Sequence, residues 1–360
     1  MLERKTNRTM SETRKQLPEC NICRNISMIL IVLYHSCILY TPNTWSVFTP
    51  TTESTVLNHL GMWLQTFCIA AFVFVSGYLY YYMVYEVQLY KGFFSIVRNK
   101  AKALLIPYAA TSLLWVIPFY LIYWHGSLRD VLIKFILCTS PGQLWFLIML
   151  FDLFVAFSAA KQIIHFDQLN ISLLLVLFLI LCTTSIAMEV LRLPNYFQIC
   201  RAVQYAPYFL FGMMLRRCRR VIAPLMRPIC QCILWICSFG LYYITLKLSS
   251  STVNMGAYAG LTLLCGICGV VALFIASCSL TRHIKHKALV HVDSILSFSS
   301  FIIYLFHQQM IYIVYDLLNI VTVPPVIVTA TAFILSILTG VFLQKLFARN
   351  YLTRFVFRVR

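Results

Sequence analysis

Two histidines and one aspartate interrupt otherwise apolar stretches of this chain: His35, Asp152 and His307. An ionisable group at membrane depth costs about 2.5–3.5 kcal/mol on insertion scales, so such positions are candidates for function. A histidine titrates near working pH and suits proton abstraction or proton relay. Arg24 precedes His35 by eleven residues. At about 100° and 1.5 Å per helical residue, that spacing returns to within about 20° of the same face, roughly 16 Å along the axis. Arg24 would then stand at an interface, where its fork could grip a phosphate, with His35 beneath it at mid-membrane. The same spacing also fits an interfacial anchor above a hydrogen-bonded bundle histidine.

Ser300, Tyr304 and His307 follow at i, i+4 and i+7, which makes one polar stripe on a helix. The stripe could orient a substrate hydroxyl, let His307 assist proton movement, or join helices by hydrogen bonds. Ser76 stands beside Gly77, a hydroxyl next to a position that lets another backbone approach. Lys100 and Lys102 come just before an apolar run that opens near residue 103 and contains Pro107. Placed ahead of a helix N-terminus, they would add charge to its dipole and free N–H groups and could hold phosphate, or simply mark a basic loop. Asp152 needs a partner, and a structural ion pair is the expectation. The 14 cysteines are scattered, mostly in apolar runs, and read as small hydrophobes with no disulfide framework. Cys20 and Cys23 have no second pair at zinc-site spacing, so no metal is expected.

The elements that must position these residues follow from composition. Of the 360 residues, 61% are hydrophobic and 11% charged, whereas a soluble domain carries about 25% charged residues. Too few charges remain to clothe a globular surface, and the chain reads as an all-α, polytopic membrane helical bundle. Segments near 24–41, 57–83, 103–124, 143–160, 171–188, 202–215, 229–247, 256–279, 297–318 and 324–347 are apolar enough to cross about 30 Å of hydrocarbon. The sixth is the shortest. No ten-residue alternation suggests an outer-membrane barrel. The net charge of +18 could mark a nucleic-acid binder, but its distribution argues otherwise. The amino-terminal tail, every second loop and the carboxyl tail hold 24 of the cations, and the intervening loops hold five. That alternation is the positive-inside pattern for ten helices with both termini cytoplasmic, and it excludes a seven-helix receptor. The organisation is a basic tail over 1–23, a single ten-helix domain over 24–348 and a short basic tail over 349–360. Neither a cleavable signal peptide nor an internal repeat is visible.

Taken in order, these residues resemble the integral-membrane acyltransferase 3 family. Arg24 with His35 is similar to its arginine–histidine element in the first helix. Phe72, Ser76 and Gly77 are similar to the next element, with Val73 where a second phenylalanine is frequent. Lys100, Lys102 and Pro107 resemble the basic-then-proline element of the third helix, with lysine where arginine is frequent. Leu144 to Leu147, including Trp145, and Ser300, Tyr304, Leu305 and His307 resemble later signatures. The resemblance implies an O-acyltransferase that takes an acyl group, often acetyl, from cytoplasmic acyl-CoA. The acceptor would be a hydroxyl of an extracytoplasmic glycan or lipid-linked sugar, as in O-acetylation of a cell-envelope polysaccharide. His35 would be the catalytic general base or a transient acyl carrier. Arg24, Lys100 and Lys102 would face the donor's phosphates, and Ser76, Trp145, Ser300, Tyr304 and His307 would line or support the cavity. No metal and no nucleic acid are implied. A bacterial inner or plasma membrane is the implied location. A separate extracytoplasmic partner could complete transfer, since some members carry an extra soluble domain for that step. The external loops 41–57 and 125–142 would help select the acceptor. Two other readings compete: a proton-coupled transporter or flippase using His35, Asp152 and His307 as a relay, and a structural subunit that needs none of these groups.

Overall fold

The computed structural model describes residues 17–40, 52–124, 127–249, 255–283, 287–319 and 323–359. Most of the amino-terminal tail, external loop residues 41–51 and two residues of the 125–142 loop lie outside the described residues. No strand occurs among the described residues. The helices are α1 (Pro18–Cys37), α2 (Thr55–Tyr81), α3 (Phe93–Thr111), α4 (Ile117–Trp124), α5 (Leu128–Ile136), α6 (Trp145–Ala160) and α7 (Ile171–Leu191). They continue as α8 (Ile199–Arg217), α9 (Ile222–Leu225), α10 (Pro228–Ser249), α11 (Met255–His283), α12 (Lys287–Asn319), α13 (Pro325–Phe347) and α14 (Tyr351–Val356).

Nine helices among the described residues are long and apolar enough to cross a membrane, α3 and α4 counting as one through a π-turn at Ser112–Val116. The expected sixth segment is α8. It has 19 residues, but Arg201, Gln204, Arg216 and Arg217 make it less apolar than the others. It packs between α2, α6 and α7. Three boundaries differ from expectation for one reason: a helix can extend past hydrocarbon on polar residues. α1 begins at Pro18, a residue suited to the first helical position. α12 begins at Lys287 and α3 at Phe93, each ten residues ahead of its apolar run.

Bundle centre and periphery differ in packing. α1 packs against α2, α11, α12 and α13, while α7 touches chiefly α8 and α11, and α10 chiefly α11. The crossing of α2 with α8 is a glycine seam. A Cβ on Gly77 would stand 1.9 Å from the Phe209 carbonyl oxygen, and one on Gly212 would stand 2.0 Å from that of Phe74. Only glycine permits backbones this close, which is the approach that the Ser76–Gly77 pair suggested.

One end of the bundle is tied by charge. Arg216, at the end of α8, donates Nε and Nη2 to the two carboxylate oxygens of Glu86 at 2.7 and 2.6 Å, and Nη1 to the Tyr78 hydroxyl at 3.3 Å. Near the same end, Asn25 Nδ2 donates to Asp293 Oδ1 at 2.7 Å and Ser297 Oγ at 2.8 Å, joining α1 to α12. Buried polar groups satisfied in this way fix the register of one helix on another.

Candidate active site

α1 presents Arg24 and His35, and both line one internal cavity of about 360 Å³. Three turns of unbroken helix separate them, as their spacing required. α2 adds Ser76, whose hydroxyl donates to the Phe72 carbonyl of its own helix at 2.8 Å. α6 adds Trp145, and α12 adds Ser300 and Tyr304. α3 adds Lys100, whose ammonium sits 3.7 Å from the centroid of the Phe154 ring on α6.

Two expectations need correction. Lys100 and Lys102 do not precede a helix N-terminus: α3 begins at Phe93, so both lie in its third turn, where backbone N–H groups are already used. Their side chains also diverge. Lys100 turns inward to the cavity, while Lys102 is exposed and does not line it. Successive residues two apart on a helix point about 200° apart, so a pair at this spacing cannot share a site. The second correction concerns Asp152, which forms no ion pair among the described residues. Its Oδ2 is buried without a hydrogen-bond partner there.

The central feature is a histidine pair. His307, fully buried behind the cavity wall, places Nε2 3.3 Å from His35 Nδ1. His307 Nδ1 lies 2.8 Å from the Tyr304 carbonyl and 3.2 Å from that of Ile303. Two carbonyls can only accept, so Nδ1 carries the proton and Nε2 accepts. His35 Nδ1 faces that acceptor and also the Ile31 carbonyl at 2.8 Å. Its proton therefore resides on Nδ1, and its Nε2 is the basic nitrogen. An acceptor held at one ring nitrogen sets the tautomer of a catalytic imidazole in the same manner.

Four further residues carried no spacing signal. Gln143 precedes α6, lines the cavity and clamps that turn to α12. Its Nε2 donates to the Leu305 carbonyl at 2.8 Å and to Gln309 Oε1 at 2.6 Å, Gln309 Nε2 donates back to Gln143 Oε1 at 2.9 Å, and the Tyr304 hydroxyl donates to the Gln143 carbonyl. Asn99 donates to the Tyr90 hydroxyl at 3.0 Å, and both line the cavity beside Lys100. An amide or phenol alone in a segment has no periodicity to betray it. Only its partner on another helix gives it a role.

The cavity is thus a chamber with cations at one end, a basic imidazole nitrogen further in and a largely apolar wall between. That layout can hold an anionic head at one end while its reactive part meets the histidine. No curated protein and no solved structure matches the chain. The acyltransferase 3 family, described as an acyltransferase domain, matches residues 18–345, so the bundle that builds this chamber belongs to that family and the chain is a membrane acyltransferase.

Proposed function

We propose that the chain moves an acyl group, acetyl first among them, from cytoplasmic acyl-CoA to a hydroxyl of an extracytoplasmic glycan or lipid-linked sugar. The observation that carries this reading is a single cavity lined by Arg24, Lys100 and His35, with His35 oriented by His307. The charged end is the cytoplasmic end under the positive-inside pattern. There the guanidinium of Arg24 and the ammonium of Lys100 would take the phosphates of the donor. Its thioester arm would reach toward His35 along the apolar wall.

In this scheme, His35 Nε2 removes the proton of the acceptor hydroxyl as its oxygen bonds to the thioester carbonyl carbon. The tetrahedral intermediate collapses, the carbon–sulfur bond breaks, and the proton passes from His35 to the departing sulfur. The ester and free coenzyme A are the products. A continuous chamber favours this direct route, because donor and acceptor can meet on one nitrogen. His307 keeps the proton on Nδ1 and so keeps Nε2 basic. A relay through Asp152 finds no support, since no hydrogen bond joins Asp152 to either histidine among the described residues.

The test is transfer of radiolabelled acetyl from acetyl-CoA in membranes that contain the wild type or His35→Ala. Label in envelope glycan with the wild type alone is expected, at equal protein abundance. Equal labelling by the variant would remove His35 from the mechanism. Arg24→Ala is expected to weaken coenzyme A binding by tenfold to a hundredfold, matching the roughly 1.5–3 kcal/mol of a hydrogen bond to a charged group.

A further inference from the structure

A third cation, which does not itself line the cavity, is stacked on one of the residues that do. Arg201, in the first turn of α8, holds its guanidinium 4.2 Å from the centroid of the Trp145 indole, and Trp145 lines the cavity with His35. The helix α6 therefore carries two cations stacked on its aromatic rings, Arg201 on Trp145 and Lys100 on Phe154. Nine residues separate the rings, about 13.5 Å of helix axis. The chamber lies between them.

The chain holds Arg201 in place at some cost. Phe197 and Gln198, just before α8, and Cys138, just after α5, adopt φ of 51°, 59° and 52°. Each such residue costs on the order of 1 kcal/mol or more, and clusters of them mark functional sites. Cross-bonds stabilise the junction. The Phe197 amide donates to the Leu137 carbonyl at 2.9 Å, Gln198 Nε2 donates to the Cys138 carbonyl, and Asn195 Nδ2 donates to Gln198 Oε1 at 2.8 Å. The start of α8 is thereby locked to the segment that leads into α6, with Arg201 in register over Trp145.

Arg201 makes no salt bridge among the described residues. Among the described residues the salt bridges all involve Glu86, at the opposite end. The acid that Arg201 senses electrostatically is Glu189, which already accepts from Gln204 Nε2 at 2.7 Å. A guanidinium kept without a carboxylate in an apolar bundle is costly unless something anionic comes to it. Its planar fork matches a carboxylate or a phosphate, and the indole beneath supplies a flat apolar face.

We propose that Arg201 over Trp145 forms a subsite for an anionic group, a carboxylate or a phosphate, carried by the acceptor, so that acidic sugars are selected over neutral ones. This rests on the acyl-transfer reading of the chamber. The purified full chain in detergent is titrated with glucuronate, glucose 1-phosphate and glucose, and separately with coenzyme A. At least one anion is expected to bind at least tenfold more tightly than glucose. Arg201→Gln is expected to erase that preference while coenzyme A binding stays unchanged. Preference for glucuronate assigns a sugar carboxylate, and preference for glucose 1-phosphate assigns a sugar phosphate. Equal affinity for glucose and both anions overturns the subsite, as does equal anion binding by wild type and Arg201→Gln, or no anion binding by protein that still binds coenzyme A. Failure of the wild type to bind coenzyme A counts against the acyl-transfer reading instead. If Arg201→Gln does not fold, Arg201→Lys carries the test: a point charge without the fork should bind the preferred anion at least threefold more weakly, and unchanged affinity overturns the proposal.

Discussion

The inner and outer helices of this bundle invert the rule of soluble proteins. The most apolar window of α7 is only 11% buried and that of α10 only 17%, whereas those of α1 and α2 are each 72% buried. Yet α7 is more apolar than either inner helix. In water the greasiest helix would sit innermost; in lipid there is no such drive, and helices associate through close packing and polar contacts. Here α1, α2, α8 and α12 carry the glycine seam, the histidine pair and the asparagine tie, while α7 presents Leu175, Leu179 and Ile180 outward. Chemistry in this chain therefore belongs to the less apolar helices, and substitutions should separate the two classes sharply.

The largest separation is expected at His35. His35→Ala should abolish acyl transfer with normal membrane abundance; retained transfer would end the distinction drawn for α1. His307→Leu removes the acceptor that faces His35 Nδ1 but leaves His35 itself. Its loss in rate should be real yet smaller than the roughly 10²–10⁴-fold that a positioned proton-transfer group supplies. A rate equal to wild type would reduce His307 to a packing residue.

Stability should divide along the same line. Gly77→Ala drives a methyl into the Phe209 backbone, and overpacking of this kind costs about 1–3 kcal/mol. Gly240→Ala, on the outer α10, meets nothing within 4 Å and should be neutral or gain at most about 1 kcal/mol from helix propensity. Thermal unfolding of the two variants in the same detergent checks this, and similar shifts would erase the inner–outer contrast. Leu179→Ala, exposed on α7, should have the smallest effect of all on both transfer and unfolding.

How far the sequence could be read follows the same physics. Apolar runs located the nine helices among the described residues that are long and apolar enough to span, because the bilayer imposes their length. Run edges misplaced the starts of α3 and α12, since amphipathic turns outside hydrocarbon leave no apolar signal, and with α3 went the expected role of Lys102. Arg24 and His35 were legible as a pair through helical period alone. That His307 would meet His35 was not legible, because nothing in either helix reports which neighbour it faces. Gln143, Asn99 and Arg201 stayed hidden for the same reason. Arg201 in particular looks like one more loop cation until Trp145 is found beneath it.

The glycine seam has a mechanical consequence. With backbone pressed on backbone at Gly77 and Gly212, α2 and α8 have no side-chain layer between them to reshuffle, so the wall that bears Ser76 is stiff. Another wall is built differently: α3 contains Pro107 and then widens into the π-turn at Ser112–Val116, features that free backbone bonds and allow a helix to bend. A chamber with one welded side and one wall on a bendable helix is expected to yield on the bendable side first. Acyl chains longer than acetyl would be housed by yielding of α3 toward its own side of the bundle, not by parting of α2 from α8.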